Sequence, residues 1–194
     1  TDPDYDTKWD GYMPNWLSLG KKQIVKKTVK ARDLWDMVAK AAWRSAEPGV
    51  VFMERYNKWF NNYYWGYVNC VNPCGEEALQ NWGVCNLTSI NLAQLVDEKG
   101  QMNYTRLAEV AKIGIRFQDD VVDADFYIFD EIKKEQLHGE RRVGLGTMGL
   151  GDALIKMKLR YGSKESLPVI DKIYRNIRDA AYEASVDIAG EKGP

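Results

Sequence analysis

An amide, a thiol and a carboxylate stand at alternate positions in the segment Asn72-Pro73-Cys74-Gly75-Glu76. Pro73 disfavours helical dihedral angles at Asn72 and has no N–H to give to a backbone ladder, so we predict an extended segment. Residues two apart in an extended segment face the same way, which would aim Asn72, Cys74 and Glu76 at one target. Together they would supply a hydrogen-bonding amide, a nucleophile or radical carrier, and a base.

A second thiol stands eleven residues after Cys74, in the stretch Cys85-Asn86-Leu87-Thr88-Ser89-Ile90-Asn91-Leu92. A lone cysteine is more often a small buried hydrophobic residue than a catalyst, and the segment 72–76 could be merely a turn between strands. The alternating Asn, Cys and Glu, together with a second thiol at a fixed distance, favour a chemical site.

The composition is typical of a soluble globular protein with one real core. The chain has 194 residues and a formal net charge of -1, which gives no support for nucleic acid or an anionic membrane as the main partner. Three cysteines, without a signal peptide or a long apolar run, predict a reducing, cytoplasmic compartment. The sequence begins at Thr1 and stops at Pro194 just as a helix ends, so we expect a piece of a larger protein.

Short apolar runs between amphipathic helices predict an α/β layer architecture. Apolar residues recur at helical spacing over 34–42, and Pro48 ends that run. Val50–Met53 is a short apolar run that suits a buried strand. The stretch 56–67 contains seven aromatic rings and fits neither period, so we predict a well-packed loop.

Two long helices are expected in the second half of the chain. Asn103 is suited to cap a helix that carries one apolar face from Leu107 to Val121. Ser163 is expected to open a final helix with an apolar stripe over 167–188. Pro168 would fall in its first turn or two, where a missing N–H matters least.

A glycine pattern, Gly144-Leu145-Gly146-Thr147-Met148-Gly149, fits the dinucleotide-binding fingerprint, which requires a strand before it and a helix directly after. The preceding residues, 140–143, make a poor buried strand. Close packing of a helix against a backbone is therefore the preferred interpretation. The five lysines within 21–30 are interpreted as a charged helix face or a loop.

Two other patterns contain potential metal ligands. The segment Asp119-Asp120-Val121-Val122-Asp123 spells a motif that holds magnesium and diphosphate in some helical bundles, but the chain has no second motif of this kind. A solvated helix end is the preferred interpretation. Cys70, Cys74, Cys85 and His138 amount to four possible zinc ligands, but structural zinc sites usually have two tight pairs. We therefore predict no metal site.

Taken together, these motifs resemble the large, catalytic subunit of ribonucleotide reductase, and most closely its adenosylcobalamin-dependent class II enzymes. The residue types at positions 72–76, Asn-Pro-Cys-Gly-Glu, point to class II. The resemblance covers most of the chain through four motifs, at 48–57, 72–76, 85–92 and 141–149. It implies part of a ten-stranded α/β barrel of two half-barrels, with residues 1–194 as a single partial barrel domain. A finger loop at about 68–92 would carry the radical cysteine through the centre.

The resemblance also implies a role for each residue of the site in making deoxyribonucleotides for DNA synthesis by a thiyl-radical mechanism. Cys74 would become the thiyl radical when the cobalt–carbon bond of adenosylcobalamin breaks, and would abstract the 3′-hydrogen of a ribonucleotide. Glu76 would be the general base and Asn72 would orient the ribose. Cys85 would be one of the two thiols that reduce the intermediate and end as a disulfide. The residues that bind the cofactor are not identified.

The implied partners are a ribonucleoside diphosphate or triphosphate, nucleotide effectors, the remaining parts of the reductase and a thioredoxin-type reductant. In the family the partner thiol of Cys85 lies upstream of the finger loop, and the phosphate-binding loops come later, so this chain alone is expected to be inactive. Cys70 is expected to be a packed thiol and not that partner. The alternative function is a non-catalytic α/β fragment whose thiols are structural or bind a metal.

Overall fold

Helices and strands are mixed along residues 2–193, the part of the chain that the computed structural model describes. This mixture agrees with the predicted α/β class. The chain divides into two compact units, Thr1–Trp82 and Gly83–Pro194. The described residues contain two two-stranded sheets and no closed barrel, so the ten-stranded barrel and its single-domain character stay predictions. Among residues 2–193, no helix is both long and apolar enough to cross a membrane.

The first unit contains short helices and one small hairpin. Its elements are α1 (Tyr5–Lys8), α2 (Met13–Ser18), α3 (Ala31–Ser45), α4 (Met53–Trp59), β1 (Cys70–Val71) and β2 (Ala78–Leu79). Strands β1 and β2 pair antiparallel, with Cys70 opposite Leu79.

Aromatic rings supply much of the packing in this unit. The ring of Trp16 is buried and meets those of Tyr5 and Trp9 edge to face, at centroid distances of 6.0 and 5.7 Å. Tyr12 stacks on Tyr67 with ring centroids 4.5 Å apart, which connects the chain next to α2 with the segment before β1. Offset and edge-on ring pairs of this kind add to the free energy gained by burial.

Of three predicted elements in the first unit, the helix and the lysine-rich segment agree with the structure and the strand does not. The helix predicted over 34–42 is confirmed as α3. The strand predicted at Val50–Met53 is wrong, because Met53 begins α4 while Val50 and Phe52 are exposed. A run of four apolar residues cannot by itself distinguish a strand from a helix start. The lysine-rich segment 21–30 has no helix or strand, as one of its two interpretations predicted.

The predicted well-packed aromatic loop at 56–67 is wrong in two respects. Its first residues belong to α4. The rings of Trp59, Tyr63 and Tyr64 are 79%, 74% and 76% exposed. Phe60 is the aromatic residue of this stretch that is buried.

The second unit is built on one parallel pair of strands covered by helices. Its elements are β3 (Asn86–Asn91), a 3-10 turn (Leu92–Leu95), α5 (Tyr104–Ala124), α6 (Asp130–Glu135), a π-helical turn (Gln136–Glu140), β4 (Val143–Met148), α7 (Leu150–Lys156) and α8 (Ser166–Lys192). Strands β3 and β4 run parallel, with Asn86 opposite Val143 and Asn91 opposite Met148. A parallel pair needs a long crossover, which α5 and α6 supply here.

The core of the second unit lies where α5 and α8 pack on each other and on the strands. Its fully or nearly buried members are apolar: Ile90, Leu92, Val96, Met102, Leu107, Ala111, Ala153, Ile173, Ile177 and Ala180. Gly114 lies where α5 crosses β4, and a Cβ atom there would lie 2.9 Å from Cδ1 of Leu145. The missing side chain therefore lets the helix approach the strand closely.

The two long helices begin close to the predicted positions. Asn103 caps α5 as predicted, because its Oδ1 accepts a hydrogen bond from the Arg106 N–H at 2.9 Å. The final helix begins at Ser166 and not at Ser163, whose Oγ instead accepts from the Ser166 N–H at 3.2 Å.

The predicted apolar faces are right in the middle of each helix and wrong at one end. In α5, Phe117 is 62% exposed while the neighbouring Gln118 is buried. In α8, Ile177, Ala184 and Ile188 are buried, but Leu167 and Tyr174 are exposed. Tertiary packing at the helix ends decides which residues are covered, and period alone does not give this packing.

The expectation of a poor strand at residues 140–143 is confirmed for 140–142, which lie outside any strand, whereas Val143 begins β4. Gly144 and Gly146 lie inside that strand, and Gly149 precedes α7 with a φ of +72°. A Cβ atom on Gly149 would lie 2.9 Å from Oδ1 of Asn91. Two of the three glycines are thus outside the turn that a dinucleotide fingerprint needs, which agrees with close packing.

Candidate functional site

The segment Asn72-Pro73-Cys74-Gly75-Glu76 forms most of the turn between β1 and β2. The Gly75 N–H donates to the carbonyl oxygen of Asn72 at 2.9 Å, and Gly75 has a φ of +79°. Pro73 follows the first residue of this turn, where its fixed φ is favourable, and Cys74 comes next at the tip. The predicted extended conformation is therefore wrong, because a glycine that adopts positive φ reverses the chain here.

The side chain of Asn72 helps to close the turn. Its Oδ1 accepts a hydrogen bond from the Glu77 N–H at 3.0 Å. Side-chain bonds of this kind from Asn to a nearby backbone N–H are a common way to stabilise a turn. Since the oxygen faces this N–H, the Nδ2 group of Asn72 faces away from it and can donate to another molecule.

Cys74 and Glu76 are both exposed at the tip of the hairpin. The period-two argument for a shared direction no longer applies, because the backbone is turned and not extended. Cys74 and Glu76 are still close along the chain, because Gly75 alone separates them. Both side chains are accessible to a molecule that approaches the tip.

Helix α4 contacts the hairpin at its base and at its tip. At the base, Asn57 accepts from the Val68 N–H at 2.9 Å and donates through Nδ2 to the Val68 carbonyl oxygen at 2.8 Å. At the tip, the Tyr56 hydroxyl donates to the Gly75 carbonyl oxygen at 2.9 Å. Two adjacent residues of one helix thus restrain both ends of the hairpin.

The residues flanking the two strands are also tied together. Asn69 donates through Nδ2 to Oδ1 of Asn81 at 2.7 Å, just outside the ends of β1 and β2. Both amides donate to the carbonyl oxygen of Asp10, each at 3.1 Å. The N-terminal segment therefore supports the base of the hairpin that carries Cys74.

Cys70 is part of strand β1 and makes local contacts only with backbone. Its thiol donates to the carbonyl oxygens of Leu79 and Gln80, at 3.6 and 3.8 Å. Partial burial raises the pKa of the Cys70 thiol, which keeps the sulfur protonated. Cys70 is nevertheless exposed, so the expectation of a packed thiol is wrong in its burial, although the thiol does bond to neighbouring backbone.

Cys85 lies in the second unit, directly before β3. Its half-buried thiol donates to the carbonyl oxygen of Asn86 at 3.4 Å. The residue also lines a cavity of about 450 Å³ whose other walls are mostly apolar: Val84, Val121, Val122, Phe126, Ile128, Phe129 and Ile132. No disulfide joins Cys70, Cys74 and Cys85. The sequence did not predict this cavity, because the residues after α5 follow no helical or strand period.

A buried glutamine that sequence reasoning missed holds the start of β3. Gln118 is 1% exposed. Its Nε2 donates to the carbonyl oxygens of Asn86 and Gly144, each at 2.8 Å. It therefore joins the first residues of both parallel strands beside Cys85. The signal in the sequence was a single amide next to Phe117, within the helix predicted to have an apolar face.

The aspartates of residues 119–123 form an ion-pair cluster. Arg141 contacts Asp119 at 2.9 Å and Asp123 at 2.7 Å. Nζ of Lys192 lies 2.7 Å from a carboxylate oxygen of Asp119, Asp120 and Asp123 alike. The predicted solvated helix end is wrong for Asp119, which is 8% exposed.

The two basic residues, Arg141 and Lys192, offset part of the negative charge of the three aspartates. Burial alone would raise the pKa of Asp119, but hydrogen bonds from Arg141 and Lys192 outweigh it and lower that pKa. Hydrogen bonds to three carboxylates raise the pKa of Lys192. Within the described part of the chain, these aspartates are the one group of three potential metal ligands lying close together. The ammonium group of Lys192 takes the place that a cation would need.

Comparison with known proteins identifies the family. A family model described as "Ribonucleotide reductase, barrel domain" matches residues 14–194. This match covers the Cys74 turn, Cys85 and both parallel strands. The chain therefore belongs to the ribonucleotide reductase barrel-domain family.

Several curated relatives match over most of the chain. A vitamin B12-dependent ribonucleoside-diphosphate reductase of Thermoplasma acidophilum is 38% identical over 172 residues, which are 89% of this chain and 22% of that protein. A protein of the same description from Mycobacterium tuberculosis is 38% identical over 163 residues, 84% of this chain and 23% of its own length. The ribonucleoside-diphosphate reductase large subunit of Caenorhabditis elegans is 32% identical over 174 residues, 88% of this chain and 22% of that subunit. The chain thus spans less than a quarter of each.

Proposed function

We propose that this chain is the part of a ribonucleotide reductase catalytic subunit that carries the radical-forming thiol. The complete protein would reduce ribonucleotides to deoxyribonucleotides for DNA synthesis. The observation that carries the proposal is an accessible Cys74 thiol at the tip of a braced hairpin, within the residues that match the barrel-domain family. The complete fold would be the ten-stranded barrel, with residues 68–92 as its finger loop.

Cys74 would start the reaction as a thiyl radical. The sulfur radical would take the 3′-hydrogen atom of the ribose, which breaks one C–H bond, forms one S–H bond and leaves the unpaired electron on the 3′ carbon. After the sugar has been reduced, the same hydrogen atom would return to the 3′ carbon, and the sulfur would again hold the radical. The thiol is therefore a carrier that is regenerated in each turnover.

Glu76 and Asn72 would assist the loss of water from the sugar. The Glu76 carboxylate would accept the proton of the 3′-hydroxyl group, while the 2′-hydroxyl leaves as water with a proton supplied by a thiol. Asn72 would donate from Nδ2 to a ribose hydroxyl, since its Oδ1 faces the Glu77 N–H. Fixing the sugar in this way would lower the entropic part of the barrier.

Cys85 would supply reducing equivalents together with a second thiol. The two thiols would give two electrons and two protons and would end as one disulfide, which balances the loss of water from the ribonucleotide. We do not assign Cys70 as that second thiol, because it contacts the backbone of β2 and holds its proton. A thioredoxin-type reductant would return the disulfide to thiols.

The cofactor would be adenosylcobalamin, as the names of the B12-dependent relatives suggest. When bound, it supplies the radical that removes the hydrogen atom of the Cys74 thiol. Cys74 fits this demand because it is a free thiol, with an S–H bond that such a radical can break, and not part of a disulfide. We assign no residue of this chain to holding the corrin ring.

The substrate would be a ribonucleoside diphosphate, since that is the substrate named for these relatives. Nucleotide effectors and the remaining parts of the reductase would be the other partners. The reaction would take place in the cytoplasm, where cysteines that must cycle between thiol and disulfide are kept reducible.

The decisive experiment compares two serine variants of the full-length reductase that contains this sequence. Cys74→Ser should reduce deoxynucleotide formation to background, whereas the matched control Cys70→Ser should keep most of the activity. Equal activity of Cys74→Ser and the unsubstituted enzyme would overturn the radical role. Turnover should also require added adenosylcobalamin, and full activity without it would contradict the class II assignment.

A further inference from the structure

We propose that Tyr56 is a positioning residue for the reaction, acting through the turn that carries Cys74 and Glu76. This proposal rests on the proposed function. Tyr56 need not touch the substrate, because its hydroxyl group acts on the backbone of the turn. Tyr56 lies outside the turn, in helix α4.

The contact on which the proposal depends lies at the centre of the turn. The Tyr56 hydroxyl donates to the Gly75 carbonyl oxygen at 2.9 Å. That carbonyl belongs to the peptide group between Gly75 and Glu76, one residue after Cys74. Fixing the direction of this peptide plane restrains the backbone of the carboxylate residue directly, and it restrains the thiol residue through Gly75, to which Cys74 is bonded.

The Tyr56 contact adds to the two hydrogen bonds that Asn72 accepts within the turn. Each strand of the hairpin has only two residues, and isolated two-stranded hairpins are marginally stable in water. Gly75 has a φ of +79°, and a Cβ atom built there meets nothing within 4 Å. The glycine is thus required for its dihedral angle and not for space.

Tyr56 is itself fixed with respect to the hairpin. Its neighbour Asn57 makes two hydrogen bonds to the backbone of Val68, near the base of β1. Helix α4 is therefore attached to the base of the hairpin, and the Tyr56 hydroxyl spans from that helix to the tip. The helix, the base and the tip form a brace within the first unit.

The rate of hydrogen-atom transfer depends on how accurately the turn positions the sulfur atom. The sulfur and the 3′-hydrogen must lie in near-contact geometry, and a misplacement of about 1 Å can cost about 100-fold in rate. Removing one hydroxyl should allow the turn to move by less than this. We therefore expect a loss of about 10-fold in kcat from Tyr56→Phe, with KM nearly unchanged.

The test uses Tyr56→Phe in the full-length reductase, with substrate carrying hydrogen or deuterium at the 3′ position. Slower abstraction should limit turnover more strongly, so the deuterium isotope effect on kcat should rise while kcat itself falls by about 10-fold. A smaller fraction of folded enzyme would lower kcat without changing the isotope effect. Tyr64→Phe is the matched control, because its ring is 76% exposed, and it should match the unsubstituted enzyme.

An isotope effect in Tyr56→Phe equal to that of the unsubstituted enzyme would overturn the proposal, whatever happens to kcat. Tyr56→Leu is the second variant. Because it also removes the hydroxyl group, its deuterium isotope effect on kcat should rise at least as much as that of Tyr56→Phe. Failure of the proposed function itself would give a different result, because the Cys74→Ser variant would then still form deoxynucleotides. The two failures are thus separated by measuring all variants in one series.

Discussion

Gln118 and Asn86 hold each other through two hydrogen bonds. Nε2 of Gln118 donates to the Asn86 carbonyl oxygen at 2.8 Å, and Nδ2 of Asn86 donates to the Gln118 carbonyl oxygen at 3.1 Å. The same Asn86 carbonyl accepts from the Cys85 thiol at 3.4 Å. The position of this thiol therefore depends on a buried amide in α5.

Gln118→Leu should destabilise the protein and loosen Cys85. The substitution leaves the carbonyl oxygens of Asn86 and Gly144 without their buried donor, which should cost about 1–3 kcal/mol in the free energy of unfolding. Denaturant unfolding measures this cost. Labelling of Cys85 by a thiol reagent under native conditions should become faster.

Gln136→Leu is the control for this effect. It also removes a buried amide that donates to backbone, here to the Arg142 carbonyl oxygen at 2.7 Å, but it leaves the Asn86 carbonyl untouched. Its unfolding free energy should fall while Cys85 labelling stays close to the original rate. Equal labelling rates in the two variants would contradict the positioning of Cys85 by Gln118.

Glu76→Gln should slow the chemical step of the full-length reductase. An amide cannot accept the 3′-hydroxyl proton, and loss of a general base typically costs about 100-fold to 10,000-fold in rate. Steady-state kcat measures this loss. Glu77→Gln keeps the backbone N–H that donates to Asn72, so it should stay within about twofold of the original rate. A rate for Glu76→Gln as high as that of Glu77→Gln would refute the base assignment.

Asp119 should make stability depend on pH in the acid range. Its pKa in the folded chain lies below the ordinary value of 3.8, because hydrogen bonds from Arg141 and Lys192 outweigh burial. The folded state therefore binds the proton less readily than the unfolded state. The stabilisation is present above about pH 4 and is lost as the pH falls through the lowered pKa.

Asp119→Asn should lower the unfolding free energy at pH 7 by about 1–3 kcal/mol. This difference should shrink as the pH falls below about 4, which denaturant unfolding at several pH values can measure. Asp120→Asn is the matched control, since the Asp120 side chain is exposed and its ion pair with Lys192 lies at the protein surface. Its cost should be about 0–1 kcal/mol. A difference for Asp119→Asn that does not change with pH would contradict the predicted role of this carboxylate.

The long helices were predictable because their signals are local. Asn103 has the side chain of a helix cap, and the apolar residues that follow it repeat at helical spacing, so propensity and period agree. In the run Val50–Met53, propensity and period did not agree on one type of structure. Its four residues fit a strand or a helix start equally well, and Met53 proved to begin α4.

The chemistry of the site was more predictable than its shape. The types and order of Asn72, Cys74 and Glu76 indicate a thiol site, but Pro73 predicts an extended chain. The structure has a turn instead, because Gly75 adopts a positive φ and Asn72 bonds to the backbone of Glu77. The Tyr56 contact to Gly75 spans nineteen residues, and no spacing rule in the sequence predicts it.

The most direct test of the central claim follows the 3′-hydrogen of the substrate in the full-length reductase. With 3′-deuterated ribonucleoside diphosphate, we predict slower turnover than with the unlabelled substrate and a deoxynucleotide product that retains deuterium at the 3′ position. Cys74→Ser should form no product above background from either substrate. Product formed by Cys74→Ser at the original rate, or turnover without any 3′ isotope effect, would contradict hydrogen abstraction by Cys74.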